Sequence, residues 1–262
     1  MAAMTRAEYA VLGFVANFFD TLGIGSFAST TAWIKFRRLI PDELIPGTLN
    51  VGHALPTIAQ AIIFTTTIAV APVTLGAMVA AAVAGGYFGA GVVARLPVRA
   101  IQAGMGLALL VAAMLFMLKI FGVLPAGGNA LGLTGGALVF ATCVNFLLGA
   151  LMQLGIGLYA PCLMLVSLMG MDPIAAFPIM MASCACLMPV SSLRFMREGR
   201  LDRPLAAGLA LGGIPGVLLA AYVVKSLPML WLYWLVVAVV LYAAILMLRS
   251  ALQPLPHAVA AP

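Results

Sequence analysis

The feature that most constrains this chain is a succession of apolar runs, each about as long as a bilayer is thick. Eight hydrophobic blocks can be marked, at 7–34, 47–69, 72–94, 98–121, 131–170, 174–193, 204–224 and 228–248. About twenty helical residues cross a hydrocarbon core about 30 Å thick. The blocks do not show the ten-residue alternation of an outer-membrane barrel. Of the 262 residues, 65% are hydrophobic and only 8% charged, whereas a soluble domain needs about a quarter charged to solvate its surface. Mean hydropathy is +1.18. A soluble globular fold is thereby excluded, and the expectation is an all-α polytopic membrane protein in contact with the lipid bilayer. No cleavable signal peptide is expected, because Arg6 and Glu8 run directly into a long, glycine-interrupted segment. The net charge of +6 is read as loop charge that sets orientation rather than as a nucleic-acid footprint.

Charge is distributed unevenly over the links between blocks. Lys35, Arg37 and Arg38 follow the first block, Arg95 and Arg99 join the third to the fourth, and Arg194, Arg197, Arg200 and Arg203 follow the sixth; the links at 69–73 and 122–130 carry none. If every block crossed once, the four-arginine link would lie opposite the first two basic links, against the positive-inside tendency. The conflict disappears if blocks one and five each enter and return on the same side. The N-terminus, all these basic links and Arg249 near the C-terminus are then cytoplasmic, with Lys119 and Lys225 as departures. Both returning blocks carry the same interruption, Leu22-Gly23-Ile24-Gly25 and Leu154-Gly155-Ile156-Gly157. An arm of about a dozen helical residues rises about 18 Å, enough to reach the midplane but not to span. Two glycines let the backbone turn there, provided the freed peptide groups are buried in protein or line a cavity.

The two tetrapeptides lie 132 residues apart, and other landmarks repeat at nearly that spacing: Phe27-Ala28 with Tyr159-Ala160, Asp42 with Asp172, and Leu96-Pro97 with Leu227-Pro228. The chain is read as two copies of one unit, residues 1–125 and 126–262, each a broken (re-entrant) helical hairpin plus three transmembrane helices. An odd number of crossings per unit makes the repeats inverted, an architecture that places substrate at the midplane between broken helices. Gly13-Phe14 and Asp20-Thr21-Leu22-Gly23-Ile24-Gly25, paired with Leu154-Gly155-Ile156-Gly157 and Pro161 over nearly the whole chain, resemble the sulfite exporter TauE/SafE family. In the first copy, Ser26–Thr31 has no proline, a departure from the pattern often seen in that family. The resemblance implies secondary transport of small sulfur-containing or organic anions, such as sulfite, sulfoacetate or related sulfonates, across a bacterial inner membrane, with export as the implied direction.

No Lys or Arg lies in the middle of a block, so the anion site is expected to be built from backbone. The helix starts after the glycine breaks would present N–H groups and the positive end of the helix dipole. The residues expected to bind substrate are Gly23, Gly25, Ser26 and Thr30 in the first hairpin, with Ser29 as a further donor, and Gly155, Gly157 and Tyr159 in the second. The alternative is that the glycines merely allow close helix packing. Asp20, an acidic residue well inside a block, is either a proton carrier coupling anion movement to the proton gradient or a cap for the N–H groups at the break. Asn17, with Asn50, His53, Thr57 and Gln60 on one face of the second block, is expected to line the pathway; His53 could share a proton with Asp20. Gln153 joins this set from the second hairpin, where the positions near Asp20's counterpart hold Met152 and Gln153. The second copy also offers Asn145, Ser183, Ser191, Ser192 and Arg194, the last read as a boundary anchor.

The four cysteines, Cys143, Cys162, Cys184 and Cys186, lie in apolar stretches at spacings that suit neither a disulfide nor zinc, and are read as packing residues. No metal, cofactor or nucleic-acid partner is expected. No nucleotide-binding motif appears, so energy must come from a gradient. An anion channel is the nearest alternative. An intramembrane serine hydrolase using Ser26 and His53 lacks the glycine expected after the nucleophile, and a membrane assembly subunit would carry no flux. Whether the protein forms a homodimer is left open.

Overall fold

The computed structural model describes residues 5–89, 98–121, 128–152, 158–226 and 229–252. Ten α-helices fall within them: α1 (Arg6–Thr21), α2 (Ser26–Arg37), α3 (Ile45–Thr67), α4 (Pro72–Ala84), α5 (Val98–Ile120), α6 (Gly135–Met152), α7 (Tyr159–Leu168), α8 (Ala176–Arg197), α9 (Arg203–Ser226) and α10 (Met229–Leu252). Short 3-10 turns, Asp42–Leu44 and Pro173–Ala175, lead into α3 and α8, and a π-helical turn, Gly85–Gly89, extends α4. The described residues form no strand; Ala130 and Met171 make an isolated parallel bridge. The protein is an all-α polytopic membrane protein. Gly135–Met152, Pro173–Arg197 and Arg203–Val223 are long and apolar enough to cross a bilayer. The 23-residue α3 is long enough, but Asn50, His53, Thr57 and Gln60 interrupt its apolar run.

The first hydrophobic block is divided where the glycines stand. Gly23 N–H donates to Asp20 C=O at 2.8 Å and Ile24 N–H to Phe19 C=O at 3.1 Å. This is a Schellman ending, which requires a left-handed residue just past the helix. Gly23 supplies it at φ +94°, and Gly25, at φ +86°, turns the chain into α2. A side chain at either position would oppose that turn, since L-residues pay about 1–2 kcal/mol in the left-handed region. In the fifth block α6 ends at Met152 and α7 starts at Tyr159. Gly155, Gly157 and Gln153 lie outside the described residues.

Each half uses its helices in the same way. α1 packs on α9 and α6 on α4, α3 packs on α9 and α8 on α4, while α3 meets α8 and α5 meets α10. Exchanging α1–α5 for α6–α10 converts each of these pairs into another pair of the same set. The α1–α9 seam is close because it is lined with small residues, as membrane interfaces without a hydrophobic driving force require. Gly212 lies against the Ala10 backbone, Gly216 against Phe14 and Gly13 against Leu209. Gly149 against Ala82 and Gly85 against Phe146 do the same between α6 and α4.

The links sort to two ends. Asp202 N–H donates to Thr48 Oγ1 at 2.9 Å and Gly47 abuts the Arg200 carbonyl, so the basic link after α8 packs on the first turn of α3. The other basic link, Lys35–Arg38, leads into that same turn. At the far end of α3, Ala71 N–H donates to Leu131 C=O at 2.7 Å and Asp172 N–H to Ala130 C=O at 3.0 Å. The uncharged links therefore meet one another, and α3 and α8 run antiparallel.

Candidate functional site

The break between α1 and α2, the start of α7 and the middle of α3 converge on one cavity of about 120 Å³. Asp20, Gly25, Ser26, Thr57 and Tyr159 line it together with Met152, Cys184, Met188 and Met247. Asp20, only 3% exposed, is held from three directions. Its Oδ1 accepts from Ser26 N–H at 2.5 Å, and its Oδ2 accepts from Gln60 Nε2 at 2.9 Å and faces the Tyr159 hydroxyl at 3.4 Å. The Tyr159 hydroxyl donates to Gln60 Oε1 at 2.9 Å, and Gln60 Nε2 also donates to Thr21 Oγ1 at 2.9 Å. Three separate segments, α1, α3 and α7, are thus joined by one amide, one carboxylate and one phenol. The carboxylate bridges the break: it sits on the first N–H of α2, where the helix has no intrahelical partner for that group and its dipole is positive.

A second network lies behind the first. Asn17 Nδ2 donates to Gly13 C=O at 2.8 Å, which leaves Asn17 Oδ1 to accept from His53 Nδ1 at 3.1 Å. The Nδ1–H tautomer of His53 follows, so Nε2 accepts from Thr30 Oγ1 at 3.3 Å. Both ring nitrogens are therefore used by Asn17 and Thr30, and neither meets Asp20 or Ser26. Asn50 donates to its own helix at Pro46 C=O, 2.9 Å away, and Ser29 returns its hydroxyl to Ser26 C=O at 3.0 Å.

The sequence-derived site residues thus divide. Asp20, Gly25, Ser26, Thr57 and Tyr159 reach the cavity; Gln60 supports them, donating also to Thr21, which the sequence had not marked as a site residue; Asn17, Thr30 and His53 tie α1, α2 and α3 together; Gly23 shapes the break; and Asn50 is a buried side chain bonded within α3. In the second half, Asn145 donates to Met78 C=O at 2.7 Å and to Ser183 Oγ at 3.3 Å, binding α6 to α4 and α8. Ser191 and Ser192 are buried and Arg194 is exposed, paired with Glu198 at 2.9 Å.

The sulfur-bearing and aliphatic wall was not marked in the sequence. Cys184 Sγ stands 3.6 Å from Met152 Sδ, and Met188, one turn along α8, faces the same space as Ala243, Leu246 and Met247 of α10. Apolar residues in a membrane helix carry no mark that separates cavity lining from packing. The repeat alone points to Met152, which stands 132 residues after Asp20. Among the described residues, no group of three or more His, Cys, Asp or Glu side chains is placed to hold a metal.

A helix break that places a buried carboxylate at a cavity, as at Asp20, is an arrangement known from membrane transporters. Residues 136–261 match the family described as Sulfite exporter TauE/SafE. No curated protein and no solved structure matches the chain.

Proposed function

We propose that the protein is a proton-coupled secondary transporter that exports sulfite, sulfoacetate or related small anions across a bacterial inner membrane. The observation that carries this reading is the placement of Asp20: its carboxylate lines the cavity while occupying the Ser26 N–H at the start of α2. An anion binding at that N–H must displace a like charge. Two negative charges in a site of low dielectric repel strongly, so the incoming anion is accepted when Asp20 carries a proton. The helix start then sees one negative charge at a time, either the carboxylate or the substrate. By linkage, proton and anion favour each other's binding, so the two cross together, and export proceeds while the outward anion gradient exceeds the inward proton gradient. Capping and proton carriage, which the sequence leaves as alternatives, become two states of one residue.

The inverted-repeat reading, with boundaries at 1–125 and 126–262, is supported by the exchange symmetry of the helix pairs and the antiparallel course of α3 and α8. Gly155 and Gly157 complete the site from the second hairpin in this proposal, with Tyr159 bringing its hydroxyl from the same side. The gathering of Lys35–Arg38 and Arg194–Arg203 at one end favours cytoplasmic placement of both links and of the two termini.

The test is flux into proteoliposomes of purified protein with a panel of sulfite, sulfoacetate and short sulfonates, with and without an imposed pH gradient. Saturable flux that exchanges with trans substrate and responds to the gradient is expected. Non-saturating flux without exchange would identify a channel, and absence of flux for every anion would remove the transporter reading.

A further inference from the structure

We propose that the preferred substrate is a monoanion with an apolar arm of a few carbons, in preference to a bare oxyanion or a dianion. This rests on the transporter reading and names the substrate class at the same cavity. The polar atoms are gathered: Asp20 is linked by hydrogen bonds to Ser26 and Tyr159, and Thr57 stands one turn from Gln60, the partner that Asp20 and Tyr159 share. Much of the remaining wall is apolar or soft, formed by Met152, Cys184 and Met188 with Ala243, Leu246 and Met247 of α10. Gln102 adds a neutral amide. Among the described lining residues there is no Lys, Arg or His.

The consequence follows from what each part of a ligand would lose on leaving water. One anionic group can be met by the Ser26 N–H at the α2 start and the Thr57 hydroxyl once Asp20 is protonated, and by the Tyr159 hydroxyl when it turns from Gln60. A second anionic group would have to lie along thioether, thiol and aliphatic groups without a cationic partner, and an unpaired buried charge is strongly disfavoured. A bare oxyanion would leave that wall unused, whereas methylenes gain from it, and polarizable sulfur packs well against irregular apolar shapes.

The test is counterflow of radiolabelled methanesulfonate in proteoliposomes of the full chain, with unlabelled sulfite, methane-, ethane-, propane- and butanesulfonate and sulfoacetate as competitors. Each added methylene should lower the half-inhibitory concentration about fourfold until the cavity is filled, with sulfoacetate and sulfite weaker than ethanesulfonate. Alkanols of the same length serve as the control for partitioning into lipid and should not compete. A flat series, stronger competition by sulfite or sulfoacetate, or equal inhibition by alkanols would overturn the substrate assignment while leaving a working transporter. Absence of methanesulfonate counterflow together with absence of flux for every anion of the panel above would overturn the transporter reading and this inference with it. A second measurement uses Met247→Lys, which puts a cation on the apolar wall and should improve sulfoacetate competition about tenfold while abolishing the chain-length gain. An unchanged profile in folded, correctly inserted Met247→Lys also counts against the assignment.

Discussion

Removing the Tyr159 hydroxyl tests whether the second hairpin is tied to the first half through one polar junction. Tyr159→Phe keeps the ring and deletes the donor to Gln60 Oε1, 2.9 Å away. Gln60 is wholly buried, so its oxygen is left without a partner, at a cost of about 1–3 kcal/mol. Gln60→Leu removes more, because the amide also donates to Asp20 Oδ2 and Thr21 Oγ1, and about 2–4 kcal/mol is expected where a carboxylate loses a buried donor. The Tyr159–Gln60 bond is lost in either single variant, so the double variant should be destabilised by less than the sum, with a coupling of about 1–2 kcal/mol. Equilibrium unfolding in mixed micelles of dodecyl maltoside and SDS, followed by far-UV circular dichroism, provides the four stabilities. Additivity within about 0.5 kcal/mol would show that the two side chains act independently and that the junction does not exist as described.

Three further outcomes are expected. Gly25 has open space around it but φ +86°, so Gly25→Val should lose transport through backbone strain of at least about 1–2 kcal/mol while expression persists; wild-type flux in that variant would show that the turn is not needed. A Cβ on Gly213 would meet Asn17 Nδ2 and Pro56 Cγ, whereas one on Gly76 meets nothing; Gly213→Val should therefore lower stability by about 1–3 kcal/mol and Gly76→Val should not, compared by thermal midpoint in detergent. In a cysteine-free background, Arg37→Cys and Arg200→Cys should label alike with an impermeant thiol reagent from the cytoplasmic face only, and labelling from opposite faces would reject the shared end of the two basic links.

What the sequence made legible was whatever leaves a periodic or unpaired mark. Apolar runs located the helices to within a few residues, and the paired glycines located the first break because a left-handed turn inside a membrane helix has few other solutions. Asp20 and the Asn50-His53-Thr57-Gln60 stripe stood out because polar groups in lipid must be used. Their division of labour was not legible: His53 and Gln60 lie on one helical face, yet one is satisfied by Asn17 and Thr30 and the other by Asp20, Thr21 and Tyr159. That outcome depends on where α1, α2 and α7 cross α3, which no local pattern encodes. The apolar wall was hidden for a different reason, since Met188 or Leu246 lining a cavity has the same side-chain chemistry as a residue facing lipid.

In the proposed cycle Asp20 trades its place at the start of α2 for substrate plus a proton. Asp20→Asn retains an oxygen for the Ser26 N–H and removes the charge, so it imitates the protonated state. The decisive measurement is flux in reconstituted Asp20→Asn, with sulfonate counterflow and pH-gradient-driven uptake recorded on the same vesicles. Counterflow should persist while the response to the gradient is lost. Gradient-driven uptake equal to that of the unsubstituted protein would contradict that cycle and leave Asp20 as a cap alone.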